Sequence, residues 1–147
     1  MVGIPWRVAF ALQADGWYLR SDIIWHKNNP IPIQKRLTNA IEYIFILSKM
    51  PINKYYTKQY THNVFKFSVD SGGKGHSAVF PIELPTICIE HFTKENDIVL
   101  DCFMGSGTTA EACVKNNRKF IGFEINKDYI EVSKNRIKKF INQKELF

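Results

Sequence analysis

The spacing of apolar positions along the chain predicts alternating helices and strands. IPWRVAFAL, residues 4–12, has helical spacing, with Pro5 suited to the first turn and Asp15-Gly16 to the end. Residues 17–25, WYLRSDIIW, read as a strand, and residues 28–36 as a polar, proline-bearing loop. Residues 42–47 form a second apolar strand. Residues 53–69 alternate weakly and are aromatic-rich, which predicts short strands, and residues 71–75 form a glycine loop. Residues 80–92 are predicted helical, with Pro85 forcing a late start or a kink. An apolar run, Ile98-Val99-Leu100, then leads into Asp101 and the turn Gly105-Ser106-Gly107. Helix formers follow, and a second apolar run at 120–123 ends in Glu124. The last helix carries Tyr129, Ile130, Ile137 and Ile141 on one side. Lys127, Lys134, Arg136, Lys138 and Lys139 are assigned to a solvated face.

Strand, glycine turn, helix and strand, with an acid at each strand end, make the unit that holds an adenosine cofactor at the carboxyl edge of a parallel sheet. Gly105 and Gly107 lack a Cβ, so the chain can turn sharply and a ligand can approach the backbone. Thr108 and Thr109 open the helix, where N–H groups without partners favour an anionic group. Glu124 has the spacing of a carboxylate that accepts both hydroxyls of a ribose. The hexapeptide 105–110, GSGTTA, also fits the dinucleotide pattern. Asp101 weighs against a nearby pyrophosphate and suits an ammonium and a sulfonium, as in S-adenosylmethionine.

Composition narrows the class. The chain has 147 residues and is 45% hydrophobic, enough for one modest core. No apolar run approaches the ~20 residues that span a membrane, so no membrane partner is expected. Cys88, Cys102 and Cys113 sit in apolar settings without a C-x-x-C pair, which predicts reduced thiols and a cytoplasmic setting. The four histidines lack ligand spacing, so no metal is expected. A net charge of +6 and a pI near 9.2 suit a polyanionic partner such as DNA.

The segment DCFMGSGTT, residues 101–109, resembles the cofactor motif of amino-group DNA methyltransferases, which act on N6 of adenine or N4 of cytosine. HSAVFPIELP, residues 76–85, resembles the family's helix that closes over the methionine end. Residues 3–32 resemble the helix, strand and loop after its catalytic motif, and residues 41–49 its next strand. The resemblance covers nearly the whole chain. It implies a Rossmann-like α/β fold dependent on S-adenosyl-L-methionine, circularly permuted in the beta-group order. One partial domain is implied, with residues 1–49 as post-catalytic elements, 50–75 as a shortened target-recognition region and 76–147 as the cofactor portion. Asp101, Phe103, Gly105, Gly107, Thr108 and Thr109 would shape the methionine side of the pocket. Glu124 would hold the ribose, and Phe80 and Leu84 would wall the pocket. Cys102 stands where the family usually has proline, a change expected to be tolerated.

The family's catalytic loop, Asp, Asn or Ser before Pro-Pro and Tyr or Phe, does not occur in this sequence. That loop orients a poorly nucleophilic amino group for in-line attack. NNPIP, residues 28–32, lacks adjacent prolines and a following aromatic, so it reads as a structural or DNA-facing loop. No catalytic residue is therefore assigned. The resemblance places Met1 just downstream of the catalytic loop, so the chain is expected to be the carboxyl-terminal portion of a restriction-modification type enzyme. The central catalytic strand would be missing, leaving an open slot beside residues 21–26 and residues 97–103. A central strand contributes several kcal/mol against a total of about 5–15 kcal/mol, so the lone chain is expected to be incompletely folded and inactive. A separate amino-terminal fragment is the expected partner beside DNA. The alternative is a remnant or subunit that binds cofactor or DNA only. Lys54, Tyr55, Tyr56, Lys58, Tyr60 and His62 interleave basic and aromatic groups, a pattern suited either to nucleic-acid contact or to an amphipathic surface hairpin.

Overall fold

The local signals of the sequence become nine helices and strands among the described residues of the computed structural model, which are 3–30, 32, 34, 35, 37–51, 62–68 and 80–144. They fall into two compact units that meet in the chain near residue 70. Each unit is described by itself.

In the first unit, α1 (Ile4–Ala14) has Pro at its start, where no N–H is needed, and Asp15 as its C-cap. Gly16, at φ 91°, turns the chain in a region open to glycine. Trp6 packs edge-on against Phe45 and Tyr43 of β2 (Ile41–Ser48), with ring centroids 4.6 and 5.3 Å away. β1 (Tyr18–Lys27) pairs antiparallel with β2 from Tyr18↔Ser48 to His26↔Ile41. The register shifts between Leu19 and Ser21. Arg20, at that irregularity, donates from Nε to Ser48 Oγ at 3.1 Å and so ties the two strands where the ladder is broken. Ile23 and Trp25, two apart on β1, point inward and are buried.

The other edge of β1 departs from expectation. The sequence leaves an open slot beside residues 21–26, but β3 (Val64–Phe67) pairs there in parallel, from Ile24↔Val64 to Lys27↔Phe67. The physical cause lies in Trp25. Its ring stacks on Phe67 at 5.3 Å, and its Nε1–H donates to the Phe67 carbonyl at 3.1 Å. An aromatic contact and a buried donor are satisfied together.

The second unit is a βαβ crossover with two further helices. β4 (Ile98–Asp101) and β5 (Lys119–Gly122) are parallel, in register from Ile98↔Lys119 to Asp101↔Gly122. α3 (Thr108–Lys115) connects them, and its Ala110, Ala112 and Cys113 are fully buried. The small residues let neighbours approach on two sides. Ile89 of α2 (Glu83–Phe92) packs against Ala112 and Cys113, with Ile82, Val99 and Phe120 around them. Ile137 of α4 (Lys127–Lys144) packs with Ala110 and Met104. α2 takes the late start that Pro85 predicts, so of the stretch 76–85 residues 80–82 precede the helix, while 76–79 lie outside the described residues. The glycine loop 71–75 and the basic-aromatic run 54–60 also lie outside them; His62 is described, exposed, with its ring 6.1 Å from Phe65.

One face of this small sheet is unusual. Val99 and Phe120 face the helices, but Ile98, Leu100 and Ile121 are 61%, 57% and 49% exposed. Both faces are apolar, the signature of a parallel sheet meant to be covered on each side. No helix among the described residues is long and apolar enough to cross a membrane.

Candidate cofactor site

The carboxyl ends of β4 and β5 meet in one hydrogen-bonded turn. Asp101 closes β4, and its Oδ1 accepts the Phe103 N–H at 2.9 Å. Its carbonyl accepts the Phe123 N–H, and the Phe123 carbonyl accepts the Met104 N–H, each at 2.9 Å. Gly105 at φ 53° and Gly107 at φ 85° are both left-handed, which explains the glycine pair. Gly107 also has no room for a side chain, since a Cβ there would lie 2.7 Å from Ser133 Cβ on α4. Gly107 caps α3, and the first intrahelical bond runs from Glu111 N–H to the Gly107 carbonyl at 2.9 Å. The N–H groups of Thr108, Thr109 and Ala110 precede that bond and form the positive end of the helix.

Glu124 joins this turn from across the sheet. Oε2 accepts the Gly105 N–H and Oε1 the Asn126 N–H, both at 2.8 Å. The Asn126 N–H lowers its carboxyl below the ordinary value; desolvation opposes this, and the N–H groups of Gly105 and Ile125 reinforce it. Each carboxylate oxygen has a second acceptor position, so Glu124 can hold the loop and still receive hydroxyls. Phe103, whose N–H bonds Asp101, stands 90% exposed, an apolar ring without cover.

Asp101, Phe103, Gly105, Gly107, Thr108, Thr109 and Glu124 thus gather at one sheet edge. Thr108 differs in its role, because its side chain is buried and its hydroxyl accepts from Arg136 Nη1 at 2.9 Å. It can serve a ligand through its backbone, with the hydroxyl turned into the protein. Phe80, ahead of α2, and Leu84, in its first turn, are half-buried, and the hydrogen bonds that fix the turn involve neither. Arg136 needs correction. Its helical position suggested a solvated face, but it is half-buried and binds the glycine turn, while Lys127, Lys134, Lys138 and Lys139 are exposed as expected. In the sequence Ser133 carries one signal, its helical spacing between Ile130 and Ile137, and Glu111 carries none; the structure buries both. Among the described residues, no group of three His, Cys, Asp or Glu side chains is placed to hold a metal.

A family model described as DNA methylase matches residues 2–135. The type II methyltransferase M.Cfr9I of Citrobacter freundii is 41% identical over 93% of this chain and 50% of its own length. M.SmaI of Serratia marcescens is 39% identical over 93% of this chain and 52% of its own. The chain therefore spans about half the length of these curated relatives. The crystal structure of M1.HpyAVI in complex with SAM matches with a TM-score of 0.79 and 31% identity, over 92% of this chain and 70% of that one. PvuII DNA methyltransferase, cytosine-N4-specific, shares the fold at a TM-score of 0.81 and 24% identity, over 94% of this chain and 60% of that one.

Proposed function

Because this chain belongs to the DNA methylase family, we propose that it holds S-adenosyl-L-methionine and forms the cofactor portion of a site-specific DNA methyltransferase acting on N6 of adenine or N4 of cytosine. The observation that carries this reading is the turn at Gly105–Gly107, with Asp101 on one strand end and Glu124, bonded to Gly105, on the other. The donor set fits the group. Glu124 keeps acceptor capacity for a ribose diol, and the start of α3 offers N–H groups to a carboxylate. Asp101 supplies negative charge suited to an ammonium and a sulfonium, and Phe103 an apolar wall. When bound, the cofactor supplies an electrophilic methyl group. The chain's own residues bind and orient it and fix the sheet edge where the base must arrive.

The base-orienting Pro-Pro-aromatic loop is absent from these 147 residues. We assign it to polypeptide outside them, in the same chain or as a separate fragment. The exposed apolar face of β4 and β5 supports such a complement. The same absence favours a second reading, a subunit that binds cofactor or DNA without catalysis. Calorimetric titration with S-adenosylhomocysteine and with NAD tests the first step. Heat with the former alone is expected, and tight NAD binding without it would overturn the assignment. Incubation with radiolabelled cofactor and mixed DNA separates the two readings. Transfer should be absent for the lone chain and appear when the amino-terminal half of a relative is co-expressed. A complemented chain that folds, binds cofactor and transfers nothing would favour the binding subunit.

A further inference from the structure

A charged network lies behind the glycine turn. Arg136 Nε donates to Glu111 Oε2 at 2.5 Å. Its Nη1 meets Thr108 Oγ1 at 2.9 Å, Ser106 Oγ at 3.3 Å and the Ser106 carbonyl at 3.4 Å. Three of these acceptors belong to the residues flanking Gly107, and the fourth to the first turn of α3. A cation at a helix start is electrostatically disfavoured, so it needs an anion beside it. Glu111 is that anion, its side chain only 10% exposed and shared with Lys115 Nζ at 2.6 Å. Burial pushes the Glu111 carboxyl up, but Lys115 and Arg136 more than offset this and keep it below the ordinary value. Ser133, one turn before Arg136, is the residue that fills the space a Gly107 side chain would need. Glu124 holds Gly105 independently, so the turn is fixed by two separate elements.

We propose that Arg136 is a positioning residue of the cofactor turn, whose guanidinium, anchored on Glu111, holds Ser106 and Thr108 so that the N–H groups opening α3 stay aimed at the ligand. This rests on the cofactor reading above. A planar fork reaches several acceptors in fixed directions, and a lysine ammonium cannot reproduce that spread. A plain tether between α3 and α4 would stabilise the fold without touching affinity.

The test uses the full chain with Arg136→Met, Arg136→Lys and Thr108→Val. S-adenosylhomocysteine affinity, thermal unfolding and amide exchange at Gly105 and Gly107 are measured. Folded Arg136→Met should bind about 10- to 100-fold more weakly and exchange the Gly107 amide about tenfold faster. Arg136→Lys should regain stability through Glu111 but not full affinity. Thr108→Val should show part of the loss, and Arg136→Met should cost less in its presence. A lowered melting temperature with unchanged affinity and exchange in the folded variant would overturn the proposal. If the unaltered chain binds no S-adenosylhomocysteine, the cofactor reading fails, and amide exchange alone judges the clamp. If Arg136→Met does not fold, Arg136→Lys and Thr108→Val carry the same comparison.

Discussion

Replacing Gly107 by alanine should be among the most damaging single-methyl additions in the cofactor unit. Two costs add. At φ 85° an L residue is strained, by roughly 1–2 kcal/mol. The new Cβ would also lie 2.7 Å from Ser133 Cβ, closer than real Cβ atoms come, and a tight 3.1 Å from Ser133 Cα. Ser133 Cβ is attached directly to the helix backbone and cannot rotate away, so α4 must shift, an overpacking cost of about 1–3 kcal/mol. The reduced freedom of the unfolded chain returns about 0.4–1 kcal/mol. The net is about 1–5 kcal/mol, a large share of a typical total of about 5–15 kcal/mol. Gly105→Ala is the internal control. Its φ is 53°, but the nearest atom to the added carbon is the Phe103 carbonyl oxygen at 3.9 Å, so only the strain applies. Urea unfolding followed by circular dichroism should therefore rank Gly107→Ala below Gly105→Ala by about 1–3 kcal/mol. Ser133→Gly, introduced beside Gly107→Ala, should recover part of that gap. Equal destabilisation at the two glycines, or no recovery with Ser133→Gly, would refute the packing argument.

The carboxyls of Glu111 and Glu124 both lie below the ordinary value of 4.5, so their contribution is complete above that pH and is lost as pH falls through the depressed values; a urea midpoint that is flat across this acid range would contradict both assignments. Cys102 is exposed and should react quickly with a thiol reagent, whereas Cys113, fully buried with its thiol pushed up to about 11 by burial and Asp101, should react only when the unit opens. Mass spectrometry after brief labelling distinguishes them, and early modification of Cys113 would contradict its burial. Phe103→Ala should leave stability within about 0.5 kcal/mol, because the ring is 90% exposed, yet weaken S-adenosylhomocysteine about tenfold if the ring covers the ligand. Unchanged affinity would remove Phe103 from the pocket.

Much of this protein is local, and the local part is legible in the sequence. The period of the apolar residues places α1, β1, β2, β4, α3 and β5, because a helix or strand face is set by neighbours within a few positions. The glycine pair and the two acids declare the turn, since backbone sign and strand ends depend on residues near at hand. Tertiary structure decided what faces what. Helical spacing put Arg136 beside four lysines, but only the approach of α4 to α3 brought Glu111, Ser106 and Thr108 within its reach. The parallel seat of β3 on β1 likewise rests on Trp25 meeting Phe67 across a long stretch of chain. Periodicity tells which residues share a face; it carries no information about the surface that face will meet, because that depends on contacts between segments far apart in sequence.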